Sequence, residues 1–130
     1  MKGIGMETTL TYKLALLHLV HLLMHADGMV DERELAMLNR IRNEESITDA
    51  VYNAFTARLS FSTDKELYDH GVRLLNQCSD EEKLQVFAHL YKLAQADNDF
   101  SMKEVRLLFY SLEQTQVEFD DVVLIARMAS

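Results

Sequence analysis

At 130 residues, with 48% apolar and 26% charged side chains, the chain holds one domain's worth of sequence, too apolar to be a disordered segment. A net charge of −8, from 21 acids against 13 bases with no cluster of Lys or Arg, excludes nucleic acid, because phosphate is repelled. Proline is absent and only four glycines occur, which withholds the turn residues that a sheet needs.

Apolar residues recur at helical spacing almost throughout, predicting helices over about 8–26, 31–43, 47–59, 63–77, 80–96, 101–113 and 117–128. This is an all-α, compact single-domain bundle of about seven helices, with residues 8–130 as the domain and 1–7 as a flexible tail. The first helix, from Leu14 to Met24, is apolar over most of its circumference and is expected to run through the middle of the bundle. It is broken by His18 and His21 and is too short to span a bilayer, and it lacks the flanks of a signal peptide. Its expected neighbour is the fifth helix, with Val86, Phe87, Leu90, Tyr91 and Leu93.

Five helix starts pair a capping residue with an acid three positions on: Asp31 with Glu34, Ser46 with Asp49, Thr63 with Glu66, Ser79 with Glu82, and Ser101 with Glu104. In each the cap accepts from an orphan N–H while the acid reaches back to the cap's own N–H. The charge runs Glu44-Glu45, Asp80-Glu81-Glu82 and Asp120-Asp121 read as solvated helix starts and faces. Tyr52, Phe55, Phe61, Tyr68, Phe87, Phe109 and Tyr110 fall at core spacing. Cys78 is alone, so no disulfide framework exists; it reads as a buried thiol, and the chain is expected in the cytoplasm.

Between the first two helices lies His25-Ala-Asp-Gly-Met-Val-Asp-Glu-Arg-Glu34. A shift of 70 residues lays this region on the start of the sixth helix, matching Leu23 with Leu93, Ala26 with Ala96, Asp27 with Asp97, Val30 with Phe100, Glu34 with Glu104 and Leu38 with Leu108. Two related helical hairpins follow, a duplication rather than a solenoid. Gly28 and Asn98 occupy one place, and both take the left-handed conformation that ends a helix readily. The motif then has an architectural reading: helix stop, apolar staple, capped restart.

It also has a metal reading. Against a calcium loop, Asp27, Gly28, Asp31 and Glu34 fall on the fifth, sixth, ninth and twelfth places, but half the ligand positions are missing, so an EF-hand does not fit. Two hairpins brought together could still supply Asp27, Asp31, Glu34, Asp97, Asp99 and Glu104 to a divalent cation. His18, His21 and His25 share one side of the first helix, away from its densest apolar arc. They read either as a partly exposed polar stripe or as zinc-type ligands, with His25 beside Asp27 as the join. No nucleophile elbow, P-loop, dinucleotide fingerprint or zincin motif occurs, so no enzyme and no organic cofactor is expected.

With Ala-Asp-Gly-Met-Val in one hairpin and Ala-Asp-Asn-Asp-Phe in the other, roughly residues 10 to 128 resemble the TerB-like family, the tellurite-resistance helical domain. The resemblance implies a helical domain of two related halves whose acidic surface binds divalent metal. Calcium, magnesium, manganese and zinc are the candidates. It places the metal ligands on Asp27, Asp31, Glu34, Asp97 and Glu104; the residues themselves add His25, His21 and Asp99 as further candidates. It further implies a bacterial stress-response setting with protein partners, membrane-associated ones among them, and no membrane insertion by the chain itself. Asn98 in place of glycine and Ser101 in place of an acid weaken the second half of that pattern. A metal-independent interaction or scaffold module, its acids serving capping and solubility, is the alternative.

Overall fold

The computed structural model describes residues 9–25, 32–96 and 102–128. They form α1 (Leu10–Met24), α2 (Glu32–Glu44), α3 (Asp49–Leu59), α4 (Asp64–Leu75), α5 (Asp80–Ala96), α6 (Met102–Thr115) and α7 (Phe119–Met128), with no strand among the described residues. Each predicted helix is present, and the described ends agree to within two residues. The expected tail, the Gly28 and Asn98 turns, and the caps Asp31 and Ser101 lie outside the described residues.

Two of the predicted capping boxes close in both directions. Thr63 accepts from the Glu66 N–H at 3.1 Å while Glu66 accepts from the Thr63 N–H at 2.9 Å. Ser79 and Glu82 do the same at 3.1 and 3.0 Å. Each such cap contributes about 1 kcal/mol. Ser46 is a correction: α3 is capped by Thr48, which accepts from the Val51 N–H, and Ser46 instead has φ 54°. The chain needs those two extra residues to close α2, since the Ile47 N–H bonds back to the Arg42 carbonyl at 2.9 Å.

The duplication extends further than one hairpin. α1, α2 and α3 fall on α5, α6 and α7 at the same 70-residue offset, with the caps Thr9 and Ser79 in register. Gln116 repeats Ser46, with φ 59°, and the Val117 N–H bonds to the Leu112 carbonyl at 3.0 Å as Ile47 does to Arg42. A left-handed residue other than glycine or asparagine is costly, on the order of 1 kcal/mol, so the same closure was kept twice despite its strain.

α1 is the buried axis, with Tyr12, Ala15, Leu16, Leu17, Leu19 and Leu23 at 0–1% exposure. Burial of a large apolar side chain contributes about 1.5–3 kcal/mol, and Phe87, Leu93 and Val86 of α5 are equally enclosed. The expected α1–α5 pairing is present, but α4, which has no counterpart in the repeat, covers more of α1. Gly71 permits this approach: a Cβ there would lie 2.9 Å from the His18 Cβ. In the second half α7 makes the extensive contact, on α5. Two aromatics expected in the core are outside it. Phe61, in the turn after α3, is 87% exposed, and Tyr110 is 54% exposed, stacked on Tyr68 at 5.6 Å. The Phe109 side chain lies outside the described residues.

Candidate functional site

Of the predicted ligand set, Asp27, Asp31, Asp97 and Asp99 lie outside the described residues, as does the side chain of Glu104 on α6. Glu34, on the first turn of α2, is 3% exposed. The acidic surface expected there is thus corrected at this position to a buried carboxylate. Among the described residues no three His, Cys, Asp or Glu side chains converge as a metal site requires. The set the sequence offers is chiefly carboxylate, which suits calcium, magnesium or manganese better than zinc.

The histidines do not form one stripe. His18 is 7% exposed, held behind Gly71, with its ring edge-on to Phe55 at 4.9 Å and to His70 at 5.0 Å. Its Nδ1 lies 2.6 Å from the Leu14 carbonyl, which can only accept, so the proton sits on Nδ1. The half-open stripe expected of it is overturned because α4, absent from any repeat argument, covers that side of α1. His21 and His25 are a separate pair, their rings 4.2 Å apart, with His25 Nδ1–H donating to the His21 carbonyl at 2.8 Å.

Burial lowers the His18 pKa below its ordinary 6.5 against the pull of the Leu14 carbonyl, with His70 and Arg58 adding to the lowering. Burial and then His25 lower His21 likewise, with Asp64 opposing. Below pH 6.5 the unfolded chain therefore binds more protons at these two sites than the folded one. Stability from them is present above 6.5 and is lost as pH falls through the folded values. Urea midpoints should drop between pH 7 and pH 5, and His18→Phe should flatten that slope; an unchanged slope would exclude His18 as its source.

The polar centre of the described molecule lies elsewhere, at a residue read from sequence as a solvated acid. Glu45, just past α2, is 9% exposed, and its Oε2 accepts from the Tyr12 hydroxyl at 2.6 Å and from His89 Nε2–H at 2.7 Å. Burial opposes its charge, but the hydrogen bonds from His89 and Tyr12 outweigh that, and its pKa is lowered. Burial and then the Glu45 charge push the Tyr12 phenol up, so it stays a donor. The centre ties α1, the end of α2 and α5 together. Lys13 Nζ donates to the Ser46 carbonyl at 3.2 Å and Thr9 Oγ1 to Glu82 Oε2 at 3.1 Å nearby. Its only sequence signal was an acid, a tyrosine and a histidine on apolar helix faces, a pattern with no fixed spacing. Cys78 is half-buried, donates to the Leu74 carbonyl at 3.4 Å and has its thiol pushed up to about 11 by burial, so it is a protonated packing residue.

An all-α domain of two register-matched helix triplets, with an acidic stretch of sequence between the first two helices of each, is the class of protein that sequence and fold together define. The family model Tellurite resistance protein TerB matches residues 13–121, and the chain belongs to the TerB family. No curated protein and no solved structure matches it. No described helix is long and apolar enough to cross a membrane.

Proposed function

We propose that this TerB-family domain is a non-enzymatic stress-response module that binds a divalent cation through Asp27, Asp31, Glu34, Asp97 and Glu104 and engages protein partners in a cation-dependent way. One observation carries the reading: two helices of similar length, α1 and α5, begin side by side at the Thr9–Glu82 hydrogen bond, and each is followed in sequence by one of the two acidic stretches. Hard cations require several oxygens at about 2.0–2.6 Å, and the two segments together carry an ample carboxylate set. The bound ion would supply a fixed positive charge joining the two halves; the chain's own contribution is the placement of the acids by duplicated helices. Tellurite-type stress response is the setting the family name supports, and the cytoplasm is the proposed location.

Calorimetric titration of chelator-treated protein with calcium, magnesium, manganese and zinc tests it, repeated on Asp27→Asn and His21→Ala. Binding that is weakened at least tenfold by Asp27→Asn and untouched by His21→Ala is the expected result. Loss in the histidine variant alone moves the site to the end of α1 and to zinc. No binding by the unmutated protein removes the cation and leaves the metal-independent interaction module.

A further inference from the structure

α3 is held differently from its repeat counterpart. In α7, Val122 and Ala126 are buried against α5, whereas the equivalent α3 residues, Tyr52 and Thr56, are only half-buried, and Phe55 is the one buried residue of that helix. Phe55 borders two cavities. One, of about 340 Å³, is bordered by α1, α2 and α3; the other, of about 430 Å³, opens between α1, α3 and α4. The second half also opens at the equivalent place, in a cavity of about 470 Å³ lined by Leu84 and Ile125, the repeat counterparts of Leu14 and Phe55, but its charged lining is acidic, with Glu45, Glu81 and Glu82 and no Arg or Lys. Ala50 and Ala54, one turn apart on α3, leave the space, and α4 takes up the face of α1 that α3 would otherwise cover.

The cavity between α1, α3 and α4 has the make-up of a small-molecule site: a predominantly apolar wall, with Leu14, Val51, Phe55 and Leu67, and a few polar groups. Arg58 is its one cation of fixed charge, and its guanidinium makes no ion pair among the described residues. Glu66 is the one acid on the lining, and it is committed to the Thr63 N–H at 2.9 Å. His18 lends a ring edge whose Nδ1–H is already used on Leu14. We infer that the cleft between α1, α3 and α4 binds a small amphipathic anion, a straight-chain carboxylate of about ten carbons, with its chain against Phe55 and Leu67 and its head at Arg58. The volume lies in the range, roughly 300–1,000 Å³, in which such ligands are held. The site shares no residue with the proposed cation ligands, so either proposal fails without the other.

The test is titration of the full chain with decanoate, and separately with decyltrimethylammonium, followed by amide NMR shifts and calorimetry. Shifts at residues 50–58 and 66–70, decanoate binding weakened at least tenfold by Arg58→Glu, and the cation bound more tightly by that variant than by the unmutated protein are expected. Ala54→Trp should abolish binding of both, with Ala50→Leu as the second filler should the tryptophan variant unfold. Absence of decanoate binding, shifts elsewhere on the molecule, or equal decanoate affinity in Arg58→Glu overturns the assignment.

Discussion

Replacing Glu45 with alanine is expected to cost the fold about 3–5 kcal/mol, among the largest effects of any single change in the described residues. The reason is not the loss of one attraction but what remains: the Tyr12 hydroxyl, whose residue is 0% exposed, and the His89 Nε2–H, on a residue 4% exposed, both left without their acceptor. Glu45→Gln keeps an acceptor oxygen of the same shape and should lose less, roughly 1–3 kcal/mol, since the bonds are no longer charge-assisted. Urea denaturation at pH 7 reads both. Because the Glu45 pKa is lowered, its share of stability is present above its ordinary 4.5 and is lost as pH falls through the folded value. The alanine variant should therefore lose acid sensitivity below pH 4.5 as well as stability. Near-equal costs for alanine and glutamine would show that the charge, not the shape of the acceptor, holds the centre.

Phe55→Ala carries the second large effect. Deleting a buried phenylalanine ring costs about 3–5 kcal/mol where the surroundings cannot collapse. Here Phe55 borders two cavities and is the only buried side chain of α3. The loss should accordingly be local: α3 amides should exchange with solvent through an opening that leaves α5 and α7 protected. Native-state hydrogen exchange distinguishes the cases. Unchanged protection in α3, or a uniform drop across all helices, would mean that α3 is bound into the core by more than Phe55.

The helices were legible because their signals are local. Thr63 with Glu66 and Ser79 with Glu82 close boxes within three residues, and each works the same whatever packs around it. Ser46 misled for a related reason. Its Asp49 partner has the right spacing, but whether a residue caps the next helix or closes the previous one depends on its φ, and 54° is not written in a Ser-x-x-Asp pattern. The family was legible too, since the Ala-Asp-Gly turn and its shifted copy are sequence features, and the match over residues 13–121 agrees with them.

What the sequence by itself determined about this protein is its class, its seven helices to within two residues where their ends are described, and a duplicated helical hairpin at a 70-residue offset, which the structure extends to three helices of each half. What only the tertiary structure decided is which polar residues are buried and where space is left. Glu45 reads as one of two exposed acids until Tyr12 and His89, 33 and 44 residues away in sequence, close on it. His18 reads as part of a half-exposed polar stripe until Gly71 lets α4 cover it, at an approach that any added Cβ would block. Burial of this kind is a sum over side chains from distant segments. The periodicity of one helix records which face is apolar but not which neighbour arrives to cover it.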